Sequence, residues 1–145
     1  MGPGDANTAG FVHGGVVMRS CDEAAGIAAV RHSGCRVVTA GMDRMTFLHP
    51  VHIGELLKCQ ASVNAVWRTS MEVGVRVEAE NPRTGDIRHT STAYLTMVAL
   101  DEHGQPTPVP DLIVTDDVEE RRRREAELRR RNRLAEREQI VSERG

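Results

Sequence analysis

The segment from residue 24 to residue 30 reads AAGIAAV, and it is small or apolar on almost every side. It lies inside a helical pattern over residues 16–32, in which Val17 and Cys21 share one face with the alanines, and Gly34 follows the end of that pattern. A surface helix needs a polar face, which this segment lacks, so the helix must be buried. One helix cannot form a core by itself, and the rest of the chain has to cover it.

The hydrophobic period changes from helical to two residues in the segments that follow. Apolar and polar residues alternate in three segments and, more weakly, in a fourth: residues 57–67, 71–80, 92–99 and 36–48. Short turns between them imply antiparallel neighbours. We therefore predict an α+β fold, in which a curved antiparallel sheet with one apolar face wraps around the single buried helix.

The overall charge gives no reason to expect nucleic acid or a membrane as partner. The 145 residues include 19 basic and 21 acidic ones, for a formal net charge of -2. The N-terminus lacks the features of a signal peptide, and no apolar run approaches the roughly 18 residues that span a bilayer. We expect a cytoplasmic protein. The three cysteines lack CxxC spacing and are interpreted as reduced core residues.

The C-terminal residues 111–145 form a charged extension to a core domain of residues 1–110. Blocks of glutamate and arginine alternate from Asp116 onward, and acidic residues lead the segment, which favours a helix. We interpret the extension as a long solvated helix on the surface. An assembly contact and RNA binding through the arginine blocks are the alternatives.

The loop before the buried helix concentrates the residues that could do chemistry. His13, Gly14 and Gly15 stand at the start of the helix, where free N–H groups point outward with the positive end of the helix dipole. Glycine lets a substrate carbonyl approach closely, so these amides could form an oxyanion site. Asp22 lies within the apolar helix, where burial beside the core would make its carboxylate more basic.

The spacing of these groups predicts a site shared between two subunits. Seven residues separate Asp22 from Gly15, which is about 10 Å along a helix axis, too far for both to act on one substrate atom. A two-fold dimer with antiparallel helices would bring Asp22 of one chain to the helix start of the other. Such a homodimer would contain two equal sites.

The residues around the helix start also carry a family resemblance. Residues 5–15 (DANTAGFVHGG), followed by residues 22–26 (DEAAG), resemble the acyl-CoA hydrolase branch of hotdog-fold thioesterases, which includes brain-type acyl-CoA hydrolases and small bacterial relatives. The likeness extends to about residue 110. It implies the hotdog fold and a catalytic pair, Asn7 and Asp22, donated by opposite subunits. Asp22 would act as general base on water, with nucleophilic attack through an anhydride as the alternative. Asn7 would position water or substrate, and the amides of Gly14 and Gly15 would hold the oxyanion.

The resemblance implies hydrolysis of fatty acyl-CoA to a free fatty acid and coenzyme A. We expect medium or long acyl chains, because small residues on the helix leave room for an acyl tail. No separate cofactor is expected, since coenzyme A enters as part of the substrate. His49 and His52 lack a third ligand, so we expect no metal. The expected assembly is a homodimer, with a trimer of dimers as its extension.

Residues that bind the coenzyme A portion are predicted from their chemistry. Phosphates need cationic side chains and backbone amides, which the turn Arg68-Thr69-Ser70 supplies. His13 lies in the glycine-rich loop and is a further candidate for contact with substrate. Two other functions stay open: a non-catalytic acyl-CoA sensor whose tail binds nucleic acid, and a hotdog hydratase acting on enoyl thioesters.

Overall fold

The computed structural model describes residues 1–6 and 10–145 and has the predicted α+β architecture. A 3₁₀ turn at Pro3–Asp5 precedes the regular elements. In chain order these are α1 Gly14–Ser33, β1 Arg36–Met42, β2 Leu56–Val66, β3 Ser70–Glu80, β4 Ile87–Leu100 and α2 Asp117–Arg144. The four strands form one antiparallel sheet in the order β1-β4-β3-β2. This is the hotdog arrangement, with α1 on the inner face of the sheet.

Helix α1 is buried along one face only, whereas Met18, Ile27 and Val30 on its other side are exposed in the single chain. Cys21, Ala25 and Ala29 have no exposed surface, because their small side chains let the helix axis come close to the sheet. The helix ends at Gly34, which adopts φ 69°, a left-handed conformation that glycine takes without steric cost, and donates its N–H to the carbonyl of Val30 at 2.8 Å.

The inner face of the sheet is formed by the alternate apolar residues of the strands. Pairing places inward side chains directly opposite one another, as with Val73 opposite Leu95 and Val75 opposite Ala93. The first strand is shorter than predicted. It ends at Met42, and residues 43–55 run as a loop past the sheet, with the N–H of Leu48 bonded to the carbonyl of Thr90 at 2.7 Å.

Helix α2 begins at the position that the acidic run predicts. The Asp116 side chain accepts a hydrogen bond from the N–H of Glu119 at 2.8 Å, which satisfies one of the free amides of the first turn. Most of its residues are exposed, but the interpretation of this helix as solvated is wrong for the face toward the sheet. Ala126 is fully buried, and Arg129 forms an ion pair with the wholly buried Glu72 of β3, so the helix lies across the outer face of the sheet.

Charge periodicity alone could not reveal this contact. Nothing in the sequence distinguishes Arg129 from the neighbouring arginines, and only the packing of α2 on the sheet places it beside Glu72. The guanidinium of Arg129 stacks over the ring of Tyr94 at 3.6 Å from its centroid, and that of Arg130 over Trp67 at 4.5 Å. In the part of the chain that the structure describes, neither helix is long and apolar enough to cross a membrane.

Candidate active site

The loop that leads into α1 is held on both sides before the helix begins. The N–H of Val12 bonds to the carbonyl of Val51 at 2.9 Å, and the N–H of His13 bonds to the carbonyl of Asp5 at 2.8 Å. The rings of Phe11 and His52 lie 5.2 Å apart. These contacts fix the direction in which the first turn of α1 presents its amides.

Gly14 and Gly15 are the first two residues of α1, as the oxyanion hypothesis requires. The N–H of Val16 already bonds to the carbonyl of His13 at 3.0 Å, so it is not available to a substrate and does not belong to that site. A Cβ at Gly14 would meet the ring of Phe47 at 3.4 Å, whereas one at Gly15 would meet no atom within 4 Å. The Phe47 ring therefore closes one side of the helix start, and Gly15 faces open space.

Asp22 lies on the rim of α1, with its side chain exposed in the single chain rather than covered by the core. The expected burial is therefore not supplied by this chain alone. The Thr39 hydroxyl of β1 donates a short hydrogen bond to the Asp22 carboxylate. The same hydroxyl lies 3.5 Å from the sulfur of Met97, which fixes the threonine against β4. The carboxylate is thus held in one orientation at the edge of the sheet.

Thr39 is a candidate site residue that sequence reasoning missed. It pairs with Met97 in the register of β1 and β4, which makes it an inward-facing position next to the helix. A polar residue at an inward position of the strand after a buried helix is the signal that could have identified it. The alternation of β1 is weak, because a bulge separates Thr39 from Gly41, and this obscured the signal.

The structure separates the other predicted site residues within one chain. Seven residues of regular helix keep Asp22 about 10 Å from Gly15, as expected. The turn Arg68-Thr69-Ser70 lies at the opposite end of α1, where Val109 donates to the carbonyl of Arg68 and Ala99 to that of Thr69. The side chains of Arg68 and His13 are exposed. Asn7 lies outside the described residues.

Asp22 has a thiol neighbour in the sequence that is not suited to nucleophilic attack. Cys21 faces the core and contacts Cys59 of β2; the hydrogen bond between the two thiols, together with burial, raises the pKa of Cys21 far above its usual value. A thiol that stays protonated at neutral pH is a poor nucleophile. Among the described residues, no three histidine, cysteine or acidic side chains come together as a metal site.

Comparison with known proteins identifies the family. Residues 9–85 match the family model of the thioesterase superfamily. Protein VdlD of Helicobacter pylori is 40% identical over 120 residues, which cover 83% of this chain and 68% of that protein. A crystal structure of a hexameric acyl-CoA thioesterase superposes with a TM-score of 0.89 at 38% identity, covering 94% of this chain and 87% of that one.

A second solved structure adds information about substrate and site. The acyl-CoA hydrolase of Staphylococcus aureus, in complex with butyryl coenzyme A, superposes with a TM-score of 0.86 at 35% identity over 98% of this chain and 88% of that chain. Three further structures of that enzyme carry an alanine in place of one residue: an asparagine, an aspartate 15 positions later, and a threonine a further 17 positions later. On sequence and fold together, the chain is a hotdog-fold member of the thioesterase superfamily and belongs to its acyl-CoA hydrolase group.

Proposed function

We propose that this protein hydrolyses the thioester of medium- to long-chain fatty acyl-CoA at two sites formed across a homodimer. The observation that carries the proposal is the Asp22 carboxylate. It is oriented by Thr39, exposed on the rim of α1, and about 10 Å from the glycine amides that would receive a developing oxyanion. One chain presents both halves of a hydrolytic site and cannot bring them together.

The intervals between polar residues support the assignment of the site. Asn7, Asp22 and Thr39 are spaced by 15 and 17 residues. The three residues replaced in the Staphylococcus aureus hydrolase have the same types at the same two intervals. We therefore assign Asn7 and Asp22 as the catalytic pair and add Thr39 as the residue that orients the carboxylate.

The free edge of the sheet indicates where the second subunit lies. β1 is an outer strand paired with β4, and most of its residues are exposed. Antiparallel pairing of β1 with the same strand of a partner would continue the sheet across a two-fold axis and place the two α1 helices side by side. Asp22 of one chain would then face Gly14 and Gly15 of the other. Hexameric relatives favour a trimer of such dimers.

The chemistry follows from these groups. The Asp22 carboxylate takes a proton from a water molecule as the water oxygen bonds to the thioester carbon. The carbonyl oxygen becomes an oxyanion and accepts hydrogen bonds from the amides of Gly14 and Gly15 of the partner. Collapse of the tetrahedral intermediate breaks the carbon–sulfur bond and returns the proton to the leaving sulfur. Fatty acid and coenzyme A are released, and Asp22 regains its charge.

Binding of the substrate would involve both ends of the dimer interface. In an antiparallel pair of helices, the turn Arg68-Thr69-Ser70 of one subunit lies toward the helix start of the other, which makes it our candidate for the phosphates of coenzyme A. His13 stands at that helix start and is our candidate for contact near the thioester. The small residues of α1 would leave space for an extended acyl tail.

Complementation between inactive variants tests this site directly. Asp22→Asn and Asn7→Ala are each expected to lower release of free thiol from palmitoyl-CoA by a factor of about 100 to 10,000, with the dimer intact. After the two variants are mixed and subunits exchange, a heterodimer has one site with both residues intact. Random exchange should therefore restore about one quarter of wild-type activity.

As the control, mixing Asp22→Asn with itself should restore no thiol release. Failure of the two variants to complement, when subunit exchange is demonstrated independently, would place both residues in one chain's site and refute the shared-site mechanism. Full thiol release by Asp22→Asn alone would remove Asp22 as the base. A series of acyl-CoA substrates from four to eighteen carbons then tests the proposed chain length.

A further inference from the structure

Helix α2 crosses the whole width of the sheet in one direction. Near its start, Arg122 lines a groove with Ser62 of β2. Arg129 contacts Glu72 of β3 and Tyr94 of β4. Arg133 forms an ion pair at 3.3 Å with Asp43, which directly follows β1. The order of contacts along the helix is thus the order of strands across the sheet, and it ends at the free edge.

The helix continues well beyond that edge. Three strand spacings make the sheet about 14 Å wide, and the helix uses about 17 Å between Arg122 and Arg133 to cross it. Residues 134–144, which we call the overhang, extend roughly 16 Å farther. The hydrogen bonds that the overhang makes in the described part of the chain are within the helix itself.

The helix face that packs on the sheet continues into the overhang and carries a large apolar residue there. Ile140 is seven residues beyond Arg133 and fourteen beyond Ala126, so the three lie on one face. Ala126 is fully buried, but Ile140 is 41% exposed and its neighbour Val141 is 61% exposed. In the described part of one chain, the sheet-facing stripe of α2 therefore ends in a large apolar side chain, Ile140, beyond the edge of the sheet.

We infer that the overhang docks on the outer sheet face of the second copy of this chain that pairs along β1. This inference rests on the β1 dimer of the proposed function. A continued sheet would place the partner's outer surface directly beneath the overhang. Because the two β1 strands would run antiparallel, the end of one β1, where α2 crosses it, lies opposite the beginning of the other.

The outer surface at the beginning of β1 has an apolar patch and a positive charge that match the apolar and acidic residues of the overhang. Val38 points to the outer face and is 46% exposed, and its pairing neighbour Val98 on β4 is half-buried beside it. Ile140 of one chain would pack on this pair in the partner. Arg36 is exposed next to Val38, where Glu136 of the overhang could approach it. Each dimer would contain two such contacts, related by the two-fold axis.

Ile140→Glu tests the contact in the full-length protein. Placing a carboxylate against an apolar surface in two symmetric contacts should raise the dimer dissociation constant by at least about tenfold. Leu128→Glu is the matched control, because Leu128 is similarly exposed at 49% but lies over its own sheet and points away from it. That control should leave the dissociation constant unchanged. Analytical ultracentrifugation over a dilution series measures both.

Disulfide trapping tests whether the overhang of one chain contacts the Val38 surface of the second copy. With Cys35 and Cys59 replaced by serine, Ile140→Cys combined with Val38→Cys should give a covalent dimer on mild oxidation, whereas Leu128→Cys with Val38→Cys should not. Equal dimer stability for Ile140→Glu and Leu128→Glu, or no covalent dimer, would overturn the inference. A hexamer that falls apart into stable dimers on Ile140→Glu would also overturn it, since the overhang would then join dimers to one another.

Measurements of catalysis distinguish failure of the overhang contact from failure of the proposed function. At protein concentrations where Ile140→Glu is fully dimeric, its thiol release per site should equal that of the wild type, because the overhang lies on the outer face and the site on the inner one. Complementation between Asp22→Asn and Asn7→Ala can succeed while disulfide trapping fails. That result would keep the shared site and reject the overhang contact.

Discussion

At the scale of single residues, a hydrogen bond from Thr39 orients the Asp22 carboxylate. An exposed aspartate at the edge of a helix normally samples several rotamers, and only some of them would aim the carboxylate at water beside a substrate. A hydroxyl on the adjacent strand favours one orientation of the carboxylate. Met97, in contact with the same hydroxyl, limits the movement of the threonine.

We predict that Thr39→Val lowers kcat by about 10- to 100-fold, the loss expected for one hydrogen bond to a charged group. The Michaelis constant should change little, because Thr39 acts on the base and not on bound substrate. Thr39→Ser restores the hydroxyl and should recover most of the activity. Steady-state kinetics of thiol release measures all three. A Thr39→Val enzyme that loses affinity for acyl-CoA at constant kcat would instead assign Thr39 to substrate binding.

At the scale of elements, α2 is joined to the sheet by a buried ion pair. The Glu72 carboxylate has no exposed surface and accepts two hydrogen bonds from Arg129, both at 2.8 Å, and one from Asn64 at 3.0 Å. The room for Asn64 is set by Gly74, where a Cβ would lie 2.6 Å from the amide nitrogen. A polar cluster of this kind fixes where the helix crosses the sheet, and with it the direction of the overhang.

We expect Arg129→Met to destabilise the fold by about 3 kcal/mol, because it leaves the Glu72 charge buried without its cation. The double variant Arg129→Met with Glu72→Leu should recover most of that loss, since an apolar pair of similar size needs no counter-charge. Arg121→Met is the control. Its ion pair with Glu125 is exposed on both sides and should change stability by less than about 0.5 kcal/mol. Urea unfolding followed by circular dichroism gives these values, and equal losses for Arg129→Met and Arg121→Met would contradict the expectation.

At the scale of the whole molecule, one ion pair ties the long loop of residues 43–55 to the sheet. Glu55 is buried and receives two hydrogen bonds from Arg88 of β4, both at 2.8 Å, and one from the N–H of His52 at 2.7 Å. Arg88 also donates to the carbonyl of Pro50 at 3.0 Å. The same loop carries Phe47 against the start of α1, so its position affects both stability and the candidate site.

The ion pair between Glu55 and Arg88 should make the free energy of unfolding depend on pH. The hydrogen bonds from Arg88, and secondarily that from His52, lower the pKa of Glu55 in the folded state. The pair therefore stabilises the fold fully above the unfolded-state pKa, roughly 4.3, and this contribution is lost as pH falls through the lower folded-state value. Arg88→Met should lose about 2 kcal/mol at neutral pH and less at acid pH.

Urea midpoints for wild type and Arg88→Met, measured from about pH 7 down to about pH 3, test this expectation. The two curves should converge as the pH falls. Arg123→Met is the control: Arg123 lowers the pKa of Glu120 on the surface of α2, where solvent screens the interaction, so its curve should follow the wild type. Parallel curves for wild type and Arg88→Met would show that Glu55 does not supply the pH dependence.

The sequence alone determined the kinds and order of the main elements, and it led to the hypothesis that the candidate site is divided between subunits. Alternation and helical period depend on neighbours only a few residues apart, and the rise of a helix fixes the separation of Asp22 from Gly15 without knowledge of the fold. Only the tertiary structure decided which distant residues meet. Thr39 reaches Asp22 across 17 residues, and Arg129 reaches Glu72 across 57. Such contacts depend on how helices and strands are placed relative to one another, so the charge pattern of α2 by itself predicts only a solvated helix.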